Sequence, residues 1–324
     1  MRRRTFQRLA ASAFALPALA QAGRAQTYPA QPVRLVVGFP PGGGVDIMAR
    51  LVAQKLTERW AKPVVVENRA GAAGNIATEM VSKSAPDGTT LIMAFSSHAS
   101  NAALYPSLPF DITRDFSDIT LVARAPVVIL ASLSAPAKSL AELIEYARAH
   151  PGAIKFASSG VGTPVHLAGE LMMQLTGTRM THVPYKGIAP AMTAMLAGET
   201  EITYAAVLSG MQHIRGGRLK ALALASSARY PGLPEVPTTA EAGLKGFEID
   251  YWYALIGPAG IPRGIVQQIQ RDTAAIVNAA ETKESLLAQG SIAVGSTPEE
   301  LDALIRREYE LWLKVVKAGA VKPE

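Results

Sequence analysis

Two short stretches carry the residues whose types and spacing could do chemistry. One is Gly38-Phe39-Pro40-Pro41-Gly42-Gly43-Gly44-Val45-Asp46; the other is Ala157-Ser158-Ser159-Gly160-Val161-Gly162-Thr163-Pro164. Each follows a β-branched run and precedes an apolar segment with helical spacing. Glycine lets a backbone adopt positive φ and turn its N–H groups toward a bound group. A helix starting behind such a corner adds unsatisfied donors and the positive end of its dipole, so the chemistry on offer is capture of an anion. In the second corner Ser and Thr hydroxyls stand beside the freed donors, and Pro164 suits a first helical position. A hydrogen bond to a charged group contributes roughly 1.5–3 kcal/mol, and about three or four per corner, less desolvation and ordering, support micromolar binding or tighter. Neither spacing is that of a nucleotide phosphate loop. Asp46 has two readings, a cap for its helix or an acceptor for a ligand hydroxyl or ammonium. Ser96 and Ser97 follow the strand-like run Thr90–Phe95, at the kind of strand end where open α/β sheets bind ligands.

Catalytic arrangements are missing. There is no G-x-S-x-G elbow, no H-E-x-x-H and no cysteine. Without cysteine, disulfides, thiolate metal sites and thiol nucleophiles are excluded. The five histidines (His98, His150, His166, His182, His213) show no metal-ligand spacing. His166 reads as a helix-face or loop-packing residue, Trp252 as core or hinge packing, and Tyr185 and Lys186 as the end of a strand at a turn. Binding without turnover, metal or cofactor is the expectation.

The elements that must position these corners alternate along the chain. Val33–Phe39, Val64–Glu67, Thr90–Phe95, Val127–Ala131, Ile154–Ala157 and Leu219–Ala225 read as strands, many of them apolar on both faces, as in sheets covered by crossover helices. Helical spacing follows at Ile47–Leu56 and Leu140–Ala147. Capping boxes are predicted at Ser139–Glu142, Thr297–Glu300 and Thr238–Glu241. The fold class is α/β. A chain of 324 residues exceeds what one core usually holds, so two lobes are expected, with 26–126 and 240–324 in the first and 127–239 in the second. Ile119–Ala131 reads as two consecutive extended segments with Pro126 between them, which suits a chain crossing from one lobe to the other. Tyr251–Gly257 would carry it back.

The N-terminus reads as an export signal. Arg2, Arg3, Arg4 and Arg8 precede the apolar stretch Leu9–Ala20, and small residues at Ala20 or Ala25 offer the cleavage point. Arg3-Arg4-Thr5-Phe6 also resembles a twin-arginine signal. Net charge is +6, and residues 1–25 hold five arginines and no acid, so cleavage after Ala25 leaves about +1. The basicity belongs to the signal, and nucleic acid is not an expected partner. No other apolar run reaches the roughly 18 residues that span a bilayer.

Read in order, the motifs resemble a known family. Pro41-Gly42-Gly43-Gly44 with Asp46 and Ala49-Arg50, Val66-Glu67-Asn68-Arg69-Ala70-Gly71-Ala72-Ala73-Gly74, Pro86-Asp87-Gly88-Thr89-Thr90-Leu91, Gly160-Val161-Gly162-Thr163 with His166-Leu167, and Val183-Pro184-Tyr185-Lys186-Gly187 are similar to those of the tripartite tricarboxylate transporter receptors, also called Bug proteins. Pro234–Gly243 and Trp252 with Gly257–Pro262 continue the likeness. The resemblance implies a type II periplasmic-binding-protein fold: two lobes, each with a central, mostly parallel sheet flanked by helices, closing on a small carboxylate (a di- or tricarboxylate, an aromatic acid or an amino acid). It places Phe39, Pro40, Gly42, Gly43, Asp46, Ser158, Gly160, Gly162 and Thr163 at the ligand, partly through ordered water, with Ser96, Ser97 and Tyr185 lining the cleft. It further implies a periplasmic monomer that hands its ligand to membrane transporter subunits. A sensing role toward a membrane signalling partner, or a secreted hydrolase, are the alternatives. One departure from the family pattern is Glu199-Thr200-Glu201-Ile202-Thr203-Tyr204-Ala205-Ala206, which bears on the distal part of the pocket.

Overall fold

The computed structural model describes residues 28–105 and 107–317. The expected export signal over residues 1–25 lies outside them. In chain order the elements are β1 (Val33–Val37), α1 (Gly44–Trp60), β2 (Val64–Asn68), α2 (Asn75–Ser82), β3 (Thr90–Phe95), α3 (Ser97–Leu104), β4 (Phe116–Ala131), α4 (Leu140–Ala149), β5 (Lys155–Ser158), α5 (Pro164–Thr176), β6 (Thr181–Pro184), α6 (Ile188–Ala197), β7 (Ile202–Ala206), α7 (Val207–Arg215), β8 (Lys220–Leu224), β9 (Asp250–Pro258), α8 (Arg263–Asn278), α9 (Ala280–Gln289), β10 (Ile292–Ala293) and α10 (Pro298–Lys317).

Two mixed sheets meet along β4. The first runs β2-β1-β3-β9-β4, parallel from β2 to β3 and antiparallel through β9. The second pairs β4 antiparallel with β7 and β8, while β5 runs parallel to both β7 and β6. The two extended segments read around Pro126 are thus one strand of 16 residues. Its first part, through Pro126 opposite Asp250, pairs with β9; from Val127 opposite Ala206 it pairs with β7. A proline lacks the N–H for a ladder bond. Pro126 stands where the strand changes partners, so that missing donor interrupts neither ladder. The chain returns where the Ile249 amide donates to the Ala225 carbonyl at 2.8 Å, just before β9 begins.

Strands apolar on both faces are buried on both faces: all six residues of β3 and all five of β7 are buried. Two of the three predicted capping boxes start helices. At Thr297 both bonds form, Glu300 N–H to the hydroxyl at 3.2 Å and Thr297 N–H to the Glu300 carboxylate at 2.9 Å. At Ser139 the hydroxyl accepts from Glu142 N–H at 3.2 Å, while that carboxylate accepts from Lys138 N–H at 2.8 Å. The third, Thr238–Glu241, makes both of its bonds but closes a series of turns, not a helix. Gly243, with φ +93°, stops it after one turn.

Candidate functional site

The two corners face each other across the junction of the sheets. β1 ends at Val37 and α1 begins at Gly44; β5 ends at Ser158 and α5 begins at Pro164. Within the glycine triplet only Gly42 takes a positive φ (+86°). Gly43 is the extended N-cap, and Gly44 is already helical. The triplet is needed for space as much as for φ. A Cβ on Gly43 would lie 3.1 Å from Ile188 Cγ2, and one on Gly44 only 2.5 Å from the Tyr253 hydroxyl. The first N–H groups of α1 have no intrahelical acceptor and point out of the corner.

Asp46 settles into the capping role. Its carboxylate is 3 % exposed and accepts from Gly42 N–H (3.0 Å), Arg50 Nε (2.9 Å) and Asn68 Nδ2 (2.9 Å). Burial pushes its carboxyl up, but the bonds from Arg50, Gly42 and Asn68 together outweigh that and hold it below the usual carboxylate range. It is an anion already matched by donors, and it ties the first corner to the end of β2.

The second corner is braced by histidines. Gly162 N–H donates to His166 Nδ1 at 3.1 Å, and Ser158 Oγ lies 2.6 Å from His182 Nε2. The two imidazoles stack with centroids 3.9 Å apart and planes within 7°. Phe156 stacks against His182 at 4.8 Å and lies 6.3 Å from His166. Burial, then the neighbouring His166, pushes His182 down to about 3, so it is neutral near pH 7. Thr163 Oγ1 closes the turn by donating to the Gly160 carbonyl at 2.7 Å.

Between the corners lies an inner cavity of ≈ 30 Å³, walled by Phe39, Phe95, Val165, Ile188, Tyr251 and Tyr253 and touched by Gly43, Ser159 and Ser209. Beside it, sharing Phe39 and Ser159, is a wider space of ≈ 210 Å³, here called the mouth, lined by Gly71–Gly74 on one side and Gly160, Val161, Tyr185 and Lys186 on the other. Ser159 Oγ is buried without a hydrogen-bond partner among the described residues. A buried hydroxyl left unpaired is costly, and Ser159 lines both spaces.

Of the residues singled out in the sequence, Phe39, Pro40 and Gly43 reach the inner cavity, and Gly160 and Tyr185 reach the mouth. Asp46, Ser158 and Thr163 line neither; their polar atoms brace the corners. Gly162 lies against the first lobe, its carbonyl accepting from Ser100 Oγ at 3.1 Å. Ser97 lines a separate void of ≈ 10 Å³ beneath Phe39, and Ser96 is buried at the start of α3. Ser159, Ser209, Tyr251, Tyr253 and Ile188 were not singled out. Strand parity offered a signal for two of them. In β9 the period of two sends Tyr251 and Tyr253 to one face and Trp252 to the other, where it is buried with Val36 and Ala254.

The arrangement can hold an anion; the hydroxyl–imidazole pair Ser158–His182 braces the corner and lines neither space, Ser158 being fully buried. Among the described residues no group of three or more His, Cys, Asp or Glu could hold a metal ion, and no helix is long and apolar enough to cross a membrane.

Comparison with known proteins agrees with this geometry. Residues 48–320 match the family described as tripartite tricarboxylate transporter family receptor. Protein BugT of Bordetella pertussis is 37% identical over 300 residues, covering 92% of both chains. An R. palustris protein solved with adipate superposes with a TM-score of 0.89 at 33% identity, over 92% of this chain and 100% of its own. MatC of Rhodopseudomonas palustris, solved with bound malate, gives 0.85 at 31% identity, over 89% and 100%.

Proposed function

Because the chain belongs to the family of tripartite tricarboxylate transporter receptors, we propose that it captures a small carboxylate in the periplasm and delivers it, as a monomer, to membrane transporter subunits. The observation that carries this reading is the space between the starts of α1 and α5, where the Ser159 hydroxyl is buried without a partner among the described residues. Helix N-termini stabilise negative charge, and a carboxylate offers lone pairs for several N–H groups at once. Similar proteins solved with adipate and with malate support the choice of a carboxylate over a phosphate. We further propose that the lobes close about β4 and about the segment at Ile249 just ahead of β9, the two places where the chain passes between them.

The test is titration of the mature protein, stripped of ligand by unfolding and refolding, against a panel of carboxylates. A true ligand at about a hundred times its Kd stabilises by about 2.7 kcal/mol. A chain of this size should then melt higher by on the order of 4 °C. A flat thermal profile across the panel would end the reading. Pull-down of a membrane partner only when ligand is present separates delivery from capture alone.

A further inference from the structure

The site has a positive end everywhere and a negative charge nowhere. Four helices begin at the inner cavity: α1 through Gly43 and Gly44, α5 through Val165, α6 through Ile188 and α7 through Ala206 and Ser209. Each turns its partial positive end toward the same space. Every residue lining that space is uncharged. Its four hydroxyl-bearing residues, Ser159, Ser209, Tyr251 and Tyr253, are neutral; the Tyr251 hydroxyl donates to the Tyr204 carbonyl at 2.9 Å, and burial pushes both phenols well above their ordinary value. In the mouth Lys186 alone is charged, and it too is positive. The acid of the first corner, Asp46, is buried and already accepts from three donors.

We infer that the site selects a carboxylate carried on a compact, apolar, uncharged body and turns away the α-amino acid with the same carbon skeleton; this rests on the carboxylate-receptor reading above. An ammonium closed into the inner cavity would lose its water and find no carboxylate, while facing four helix ends of its own sign. A second carboxylate pushed inward would lose its water among Phe39, Phe95 and Tyr251, which offer it no charged partner. The wall gives its contact area to carbon. Phe95 stands edge-on to Phe39 and Tyr251, with centroids 5.8 and 5.3 Å away, a stiff aromatic corner suited to an alkyl or aryl group.

Matched pairs test this on the ligand-stripped mature protein by calorimetric titration: 3-phenylpropanoate against phenylalanine, and butanoate against 2-aminobutanoate, with adipate alongside. Within each pair the amino acid should bind at least about 100-fold more weakly, since burying an unpaired charge costs several kcal/mol. Ser209→Asp, which puts a carboxylate on the inner wall, should weaken the acid and strengthen its amino partner. Equal affinity within the pairs overturns the inference and leaves carboxylate capture standing. Binding of adipate with neither monocarboxylate also overturns it, because the body would then have to be charged. Silence from every carboxylate removes the receptor reading itself. Should the Ser209→Asp chain not fold, the wild-type pairs decide.

Discussion

At the scale of single residues the second corner depends on where one proton sits. His166 can accept from Gly162 N–H only while its Nδ1 is bare. His166→Phe keeps the ring's volume and removes the acceptor. The orphaned N–H should loosen the corner and weaken ligand binding about tenfold, whereas a change confined to packing would lower the melting temperature and leave affinity alone. Gly162→Val should be harsher for binding. Its Cβ would lie 2.5 Å from Leu104 Cδ2, on a backbone with φ +77°. Both lobes should still fold, and titration should find no binding. His182 and His98 give a pH dependence with a definite sign. Burial pushes His98 down to about 4, and burial with His166 pushes His182 down to about 3. Near pH 7 both are neutral folded and unfolded. Below pH 6.5 the unfolded chain takes protons that the folded chain refuses, so stability should fall by about 1.4 kcal/mol per pH unit per histidine until each folded value is reached. Urea midpoints measured from pH 7 down to pH 4 check this, and His98→Phe should flatten the slope. Little of it was legible beforehand: glycines announce a corner, but which side chain braces it depends on β6 lying beside β5.

At the scale of elements, the loop before α1 is held from behind. Asp46 gathers Gly42, Arg50 and Asn68, so the start of a helix, its own first turns and the end of β2 share one carboxylate. Asp46→Ala should weaken ligand binding without emptying the cavity of any lining residue, and Asp46→Asn should recover part of it. At the far end of the chain Thr297→Ala removes a complete capping box from α10 and should cost about 1 kcal/mol in chemical unfolding. The strands and long helices were readable because their apolar periodicity is dictated by burial. Thr238–Glu241 shows where such reading stops: its capping bonds form as predicted, yet Gly243 ends the turn before a helix can grow. The two-residue β10 and the polar α9 carry too little periodicity to be seen at all.

At the scale of the whole molecule the two lobes are in contact around a space much smaller than its own mouth. Gly187 packs so close to Pro40 that a Cβ would sit 2.7 Å from its ring. These contacts must part for the lobes to open. Small-angle scattering should therefore give a larger radius of gyration for the stripped protein, decreasing as a bound carboxylate is added, and Gly162→Val should stay at the larger value. The two-lobe plan was legible from chain length and from the extended run around Pro126. That the run is one unbroken strand was not, since nothing local says that a proline marks a change of neighbours instead of an end. That continuity bears on how the molecule opens. A strand shared by two sheets cannot swing like a gate on a loose tether; it stores each displacement as twist along its own length, as a torsion bar does. Opening should then be a small, springy rotation with a built-in return.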